Sequence, residues 1–160
     1  MSIAKGDKLP AGQLMILGAN GPEPVDAAGL SKGLVVIFGL PGAYTPPCTS
    51  LHMPSFVKTA EKLRAKGVAR VVCIAVNDPF VADRWAGDTG AKAAGIEVLA
   101  DADGSYTRAL GMNIEAEGWI KGRSKRYAMI VEDGKVTALQ LEEAPGTCSV
   151  SSGESVLALL

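Results

Sequence analysis

Apolar positions along this chain gather into short runs that alternate with segments of helical spacing. Residues 34–40 (LVVIFGL) and 69–77 (ARVVCIAVN) are almost unbroken apolar runs, the pattern of strands covered on both faces. Between them the chain reads as a helix. Thr45 is placed as its N-cap, Pro46 at its first position, and Gly67 after EKLRAKG as its stop. Pro54 falls inside this helix and is expected to kink it. Asp78-Pro79 repeats the cap-and-proline signal before PFVADRWAGDTGAKAAG; EVLAD then reads as a strand and GSYTRALG as a helix. Two alternating runs in RYAMIVEDGKVTALQLEE meet at Asp133-Gly134, a hairpin signal, so an otherwise parallel sheet must become mixed. SGESVLALL fits a closing helix. The pattern predicts a three-layer α/β sandwich, a mixed central β-sheet flanked by helices.

Composition narrows what such a sandwich is for. With 160 residues, 48% of them hydrophobic and 21% charged, the chain fills one substantial core, and a single domain spanning residues 1–160 is expected. Sixteen Lys and Arg against seventeen Asp and Glu leave a formal charge of −1, with no basic stripe for a phosphate backbone, so nucleic acid is not an expected partner. No apolar stretch reaches membrane-spanning length, and the Lys-, Asp- and Pro-punctuated start lacks the form of an export signal. A cytoplasmic location is expected, with no membrane association. Three cysteines are too few, and odd in number, for a secreted disulfide framework.

One of those thiols occupies a chemically loaded position. Cys48 follows the carboxyl end of the first buried run, where α/β folds bind ligands, and it opens the following helix. A helix N-terminus carries partial positive charge and unpaired N–H groups, which favours thiolate over thiol. A small buried core residue is the ordinary account of a cysteine. Here the neighbours Pro46, Pro47, Thr49 and Ser50 are not a core environment, and a reactive thiol is the better reading. Cys73, inside VVCIAV, fits the core account. His52, the one histidine, lies four residues after Cys48, but a thiol-protease pair takes its base from a separate part of the fold. A zinc site is disfavoured because no CxxC spacing exists.

The segment PGAYTPPCTSLHMPSF resembles the active-site segment of the peroxiredoxins, with Pro41, Thr45 and Cys48 on the family's Pro, Thr and Cys positions. His52, Pro54 and VNDPFVADRWAGD are similar to the peroxiredoxin-5 or type II branch, and SKRYAMIVEDGKV resembles the strand that carries its active-site arginine, here Arg126. Tyr44 and Pro47 depart from the pattern without removing a group that the chemistry needs. The resemblance implies a thioredoxin-like fold and a thiol-dependent peroxidase acting on hydrogen peroxide and organic hydroperoxides, with no bound cofactor and no metal. Cys48 would be the nucleophile. Thr45 would set a hydroxyl beside its sulfur, Arg126 would stabilise the thiolate, and Pro41 would shield the pocket, with Gly42, Pro47 and His52 at its rim. The branch also implies a homodimer.

Cys148 sits in the polar loop EEAPGTCSVSSGES, where a cysteine has no packing purpose. By the resemblance it would resolve the Cys48 sulfenic acid as an intrachain disulfide that thioredoxin reduces. The composition of APGTCSVSSG suits the movement this needs, with Gly42 and Gly146 as hinges. Two alternatives stand beside this. Glutathione or glutaredoxin would recycle Cys48 with Cys148 uninvolved, or the same thiol would serve a peroxide-sensing signalling protein, which would stop near one equivalent of peroxide per chain.

Overall fold

In the computed structural model, which describes residues 2–160, the run 34–40 is an interior strand of a seven-stranded sheet. The strands are β1 (Gln13–Gly18), β2 (Gly21–Asp26), β3 (Leu34–Leu40), β4 (Arg70–Ala75), β5 (Glu97–Ala100), β6 (Tyr127–Glu132) and β7 (Lys135–Leu141). Their order is β2-β1-β5-β4-β3-β6-β7, with β5, β4 and β3 parallel and the outer strands antiparallel. The helices are α1 (Met53–Ala65), α2 (Pro79–Asp88), α3 (Ser105–Ala109) and α4 (Gly153–Leu157).

Alternation along β3 builds two cores from one strand. Val36, Phe38 and Leu40 face the layer with Phe56 and Leu63 of α1, Trp85 of α2 and Val156 of α4, while Val35 and Ile37 face Leu30, Tyr106 and Leu110. All of these are buried. The predicted three-layer sandwich is therefore present, and the fold is thioredoxin-like. No helix among the described residues is long and apolar enough to cross a membrane.

Several boundaries differ from the pattern reading, each for a local reason. The second apolar run pairs only as Arg70–Ala75, because Asn77 turns its N–H back to the Ala75 carbonyl. The helix opened by Asp78, whose carboxylate accepts from Val81 N–H, ends at Asp88 rather than continuing to Gly95. An N-terminal hairpin, β1 with β2, was not anticipated. GPEPVD carries two prolines, which hide a strand from propensity, yet β2 is an edge strand where a missing N–H is tolerated. The Asp133-Gly134 hairpin is as expected, both residues having positive φ (49° and 85°) as a tight primed turn requires.

The register of β3 against β6 has the largest consequence for function. Gly39 pairs with Tyr127 in antiparallel sense, so the carboxyl end of β3 lies beside the start of β6, and Arg126 is delivered there. Gly39 is needed at that pairing, since a Cβ would meet the Tyr127 ring at 2.2 Å.

Helix α4 closes the layer by docking on α1. The Gly153 N–H donates to Ser55 Oγ at 2.9 Å, and a Cβ on Gly153 would stand 2.5 Å from the Ser55 carbonyl oxygen. Backbone cannot yield there as a flexible side chain would. Gly153→Ala is expected to destabilise the chain by roughly 1–3 kcal/mol, as overpacked cores do, measured as a lower urea midpoint at unchanged slope.

Candidate active site

The segment from Pro41 to His52 does not form the helix start that its sequence suggests. Tyr44 takes a positive φ (65°), the Pro46–Pro47 peptide is cis, and Cys48–His52 forms one wide π-helical turn before α1 begins at Met53. Leu51 and His52 N–H groups both donate to the Pro47 carbonyl. The reason for the wide turn is Pro54. It lacks an N–H and lies in the first turn of α1, where none is required, so the expected mid-helix kink becomes a π-turn ahead of it. Thr45 is accordingly not a helix N-cap. Its hydroxyl donates to the Gly42 carbonyl at 2.7 Å and lies 3.1 Å from Cys48 Sγ, while Thr49 N–H donates to its carbonyl.

Cys48 is fully buried at the head of this turn. Arg126, also buried, directs Nη2 to its sulfur at 3.0 Å. The other guanidinium nitrogens are occupied as well: Nη1 donates to His52 Nδ1 at 2.9 Å and Nε to the Pro145 carbonyl at 3.0 Å. A cation out of water needs its nitrogens paired, and each of the three has one acceptor here, the sulfur among them.

His52 corrects the pocket-rim expectation. The ring is buried against the stacked pair Phe38 and Phe56, with centroids 5.1 and 5.6 Å away. With Nδ1 accepting from Arg126, Nε2–H donates to the Ser151 carbonyl at 2.9 Å. Burial, and then the Arg126 charge, push its pKa down to about 3, so the imidazole is neutral and both nitrogens are committed. It orients the arginine and has no free nitrogen to act as a base toward Cys48. Gly42 and Pro41 are likewise buried, in the loop wall, and Pro47 is half-buried beside Thr45.

The flanking loop is anchored from outside the motif. Asn77 Oδ1 accepts from Ala43 N–H at 2.9 Å, and Trp85 Nε1–H donates to Thr49 Oγ1 at 3.1 Å. Neither residue was singled out in the sequence, because an Asn after a strand and a Trp in a helix have ordinary structural readings. Cys73 is a core thiol of β4, its pKa raised by burial. Cys148 is half-buried and unpaired, and burial raises its pKa also. It borders a groove whose other walls include Ser50 and Leu51 of the π-turn and Lys58 of α1. No group of His, Cys, Asp and Glu able to hold a metal exists among the described residues.

This constellation has clear relatives. The chain matches the Redoxin family over residues 4–157. It is 40% identical to Peroxiredoxin-2C of Oryza sativa subsp. japonica, over 99% of this chain and 98% of the relative. It is 46% identical to the mitochondrial Peroxiredoxin-2F of Arabidopsis thaliana, over 77% of this chain and 61% of that one. Among solved structures, reduced Prx3 of Vibrio vulnificus in complex with H2O2 superposes with a TM-score of 0.91 at 39% identity, covering 98% of both chains. Family match, near-complete coverage and fold agree: the chain belongs to the peroxiredoxin family, whose members are thiol-dependent peroxidases.

Proposed function

We propose that Cys48 is the peroxidatic nucleophile and that the chain reduces hydrogen peroxide and organic hydroperoxides. The observation that carries this reading is the convergence of Arg126 Nη2 and Thr45 Oγ1 on one sulfur, at 3.0 and 3.1 Å. The thiolate attacks the nearer peroxide oxygen and the O–O bond breaks. Sulfur is oxidised to sulfenic acid, and the departing oxygen takes a proton to leave as water or an alcohol. Arg126 stabilises negative charge first on sulfur and then on the leaving oxygen, and Thr45 holds its hydroxyl beside the line of attack. Pro41 and Pro47 line the loop that shields the sulfur from bulk water, the setting in which such fixed dipoles act most strongly. The reaction needs no metal or organic cofactor.

Cys148 is the proposed resolving thiol. It would displace hydroxide from the sulfenic sulfur, which departs as water, and thioredoxin would return the disulfide to two thiols. Its place across a groove from Ser50 and Leu51 supports this, since unwinding the π-turn would carry Cys48 toward it. A second reading, recycling by glutathione or glutaredoxin, is favoured by the many hydrogen bonds that hold residues 147–151 in place. The two readings share every step up to the sulfenic acid. A homodimer in a reducing compartment, the cytoplasm by the sequence reading, completes the proposal.

Cys48→Ser is expected to abolish peroxide consumption with the fold intact, because an alcohol is far too weakly acidic to attack; turnover at the parent rate would remove Cys48 from the mechanism. Arg126→Met is expected to slow sulfur oxidation about 10- to 100-fold, the worth of a hydrogen bond to a charged group. Oxidation at the parent rate would show that this charge does not act on the thiolate. A non-reducing peptide map after one equivalent of peroxide separates the recycling readings. A Cys48–Cys148 disulfide within one chain is expected, whereas sulfenic acid or a glutathione adduct on Cys48, with Cys148 still free, assigns recycling to the external thiol.

A further inference from the structure

Glu142 has none of the catalytic roles discussed above, yet it ties the active site together. It follows β7 directly, and its N–H donates to the Arg126 carbonyl at 3.0 Å, which extends the β6–β7 ladder by one rung. Its carboxylate is buried and closes on the loop that carries Cys148. Oε2 accepts from the N–H groups of Ser149 (2.9 Å), Val150 (2.9 Å) and Ser151 (2.8 Å) and from Ser151 Oγ (2.7 Å). Oε1 accepts from the hydroxyls of Thr147 and Ser149, each at 3.2 Å. Successive N–H groups turned onto one oxygen form an anion-binding nest, and its anion is supplied by the chain itself. Burial opposes ionisation there, but the bonds from Ser151, Ser149 and Val150 outweigh it and hold the pKa down at about 2, so the clasp is charged throughout the physiological range.

The same loop reaches Arg126 twice, once directly and once through His52. The Pro145 carbonyl accepts from Nε, and the Ser151 carbonyl holds His52, whose other nitrogen accepts from Nη1. Ser151 is pinned by both N–H and Oγ to Glu142, which fixes where its carbonyl stands. A continuous chain of contacts thus runs from Glu142 through Ser151, His52 and Arg126 to the Cys48 sulfur. Cys148 lies between Thr147 and Ser149, both held by the same carboxylate.

We propose that Glu142 is a positioning residue: by holding the 147–151 loop it orients Arg126 at the Cys48 sulfur, through Ser151 and His52, and at the same time holds Cys148 aside. The inference rests on the peroxidase reading and deepens it: one carboxylate that touches neither thiol sets the reactivity of both.

The test uses the full-length chain and its Glu142→Gln variant, which keeps the shape and removes the charge, with Ser151→Ala as a milder second lesion should the first fail to fold. Two rates are read in each: oxidation of Cys48 by hydrogen peroxide, and alkylation of Cys148 by a maleimide on the reduced protein, located by peptide mapping. Arg126, His52, Lys58, Cys73 and Glu154, the other titratable or charged groups near the two thiols, are retained in both variants. The rates are expected to move in opposite directions. Peroxide oxidation should fall roughly 10- to 100-fold, as when a reacting group is misplaced by a fraction of an ångström to an ångström, while Cys148 alkylation rises at least severalfold. Ser151→Ala should shift both in the same senses by less. A lowered melting temperature with both rates unchanged would make Glu142 a structural residue only and overturn the proposal, as would a fall in both rates together. Failure of the unsubstituted chain to react with peroxide would instead refute the peroxidase reading, and this inference with it.

Discussion

The buried guanidinium of Arg126 is the constraint around which the site is organised. A cation removed from water costs several kcal/mol unless each donor finds an acceptor, and near-complete burial leaves none of that to solvent. Its three nitrogens meet Cys48 Sγ, His52 Nδ1 and the Pro145 carbonyl. Two of these acceptors are neutral, so the sulfur is where an anion best satisfies the charge. One interaction therefore satisfies the buried cation and, in the proposed mechanism, activates the thiol.

That interaction also explains the state of its neighbours. His52 must stay unprotonated to accept from the arginine, and the aromatic walls of Phe38 and Phe56 keep water from restoring its proton. The Ser151 carbonyl takes its remaining proton and so chooses the tautomer. The positive charge at Arg126 and the negative charge at Glu142 are never in direct contact. They are joined by a neutral imidazole and a peptide carbonyl, and a direct ion pair would divert the guanidinium from sulfur.

The π-turn is the second structural decision. A regular helix from Pro46 would have placed Cys48 at its third position, inside the first turn. The wide turn instead sets the sulfur at its head, where Thr45 Oγ1 reaches it from the preceding loop. Irregular helical turns of this kind are held together weakly compared with the α1 helix that follows, as the proposed approach of Cys148 to an oxidised Cys48 requires.

Much of this was legible in the residues alone. Apolar runs marked β3 and β4, Asp78-Pro79 marked α2, and Asp133-Gly134 marked the hairpin, because each signal is local and set by backbone sterics. The placement of Cys48 just after the first buried run, among Pro46, Pro47, Thr49 and Ser50, is local too, and it indicated a reactive thiol, while the spacing of Pro41, Thr45 and Cys48 carried the family resemblance. Arg126 could be selected only by resemblance, since beside Arg123 and Lys125 its charge is unremarked by any local rule. Tertiary structure decided the rest. The antiparallel register of β3 with β6 brought together residues 78 positions apart, burial turned His52 from a rim residue into a neutral spacer, and a loop folded onto Glu142 gave an ordinary surface-type acid its place behind the arginine. Sequence determines what depends on neighbours along the chain; register, desolvation and the closing of a polar loop depend on segments that meet only after the sheet has formed.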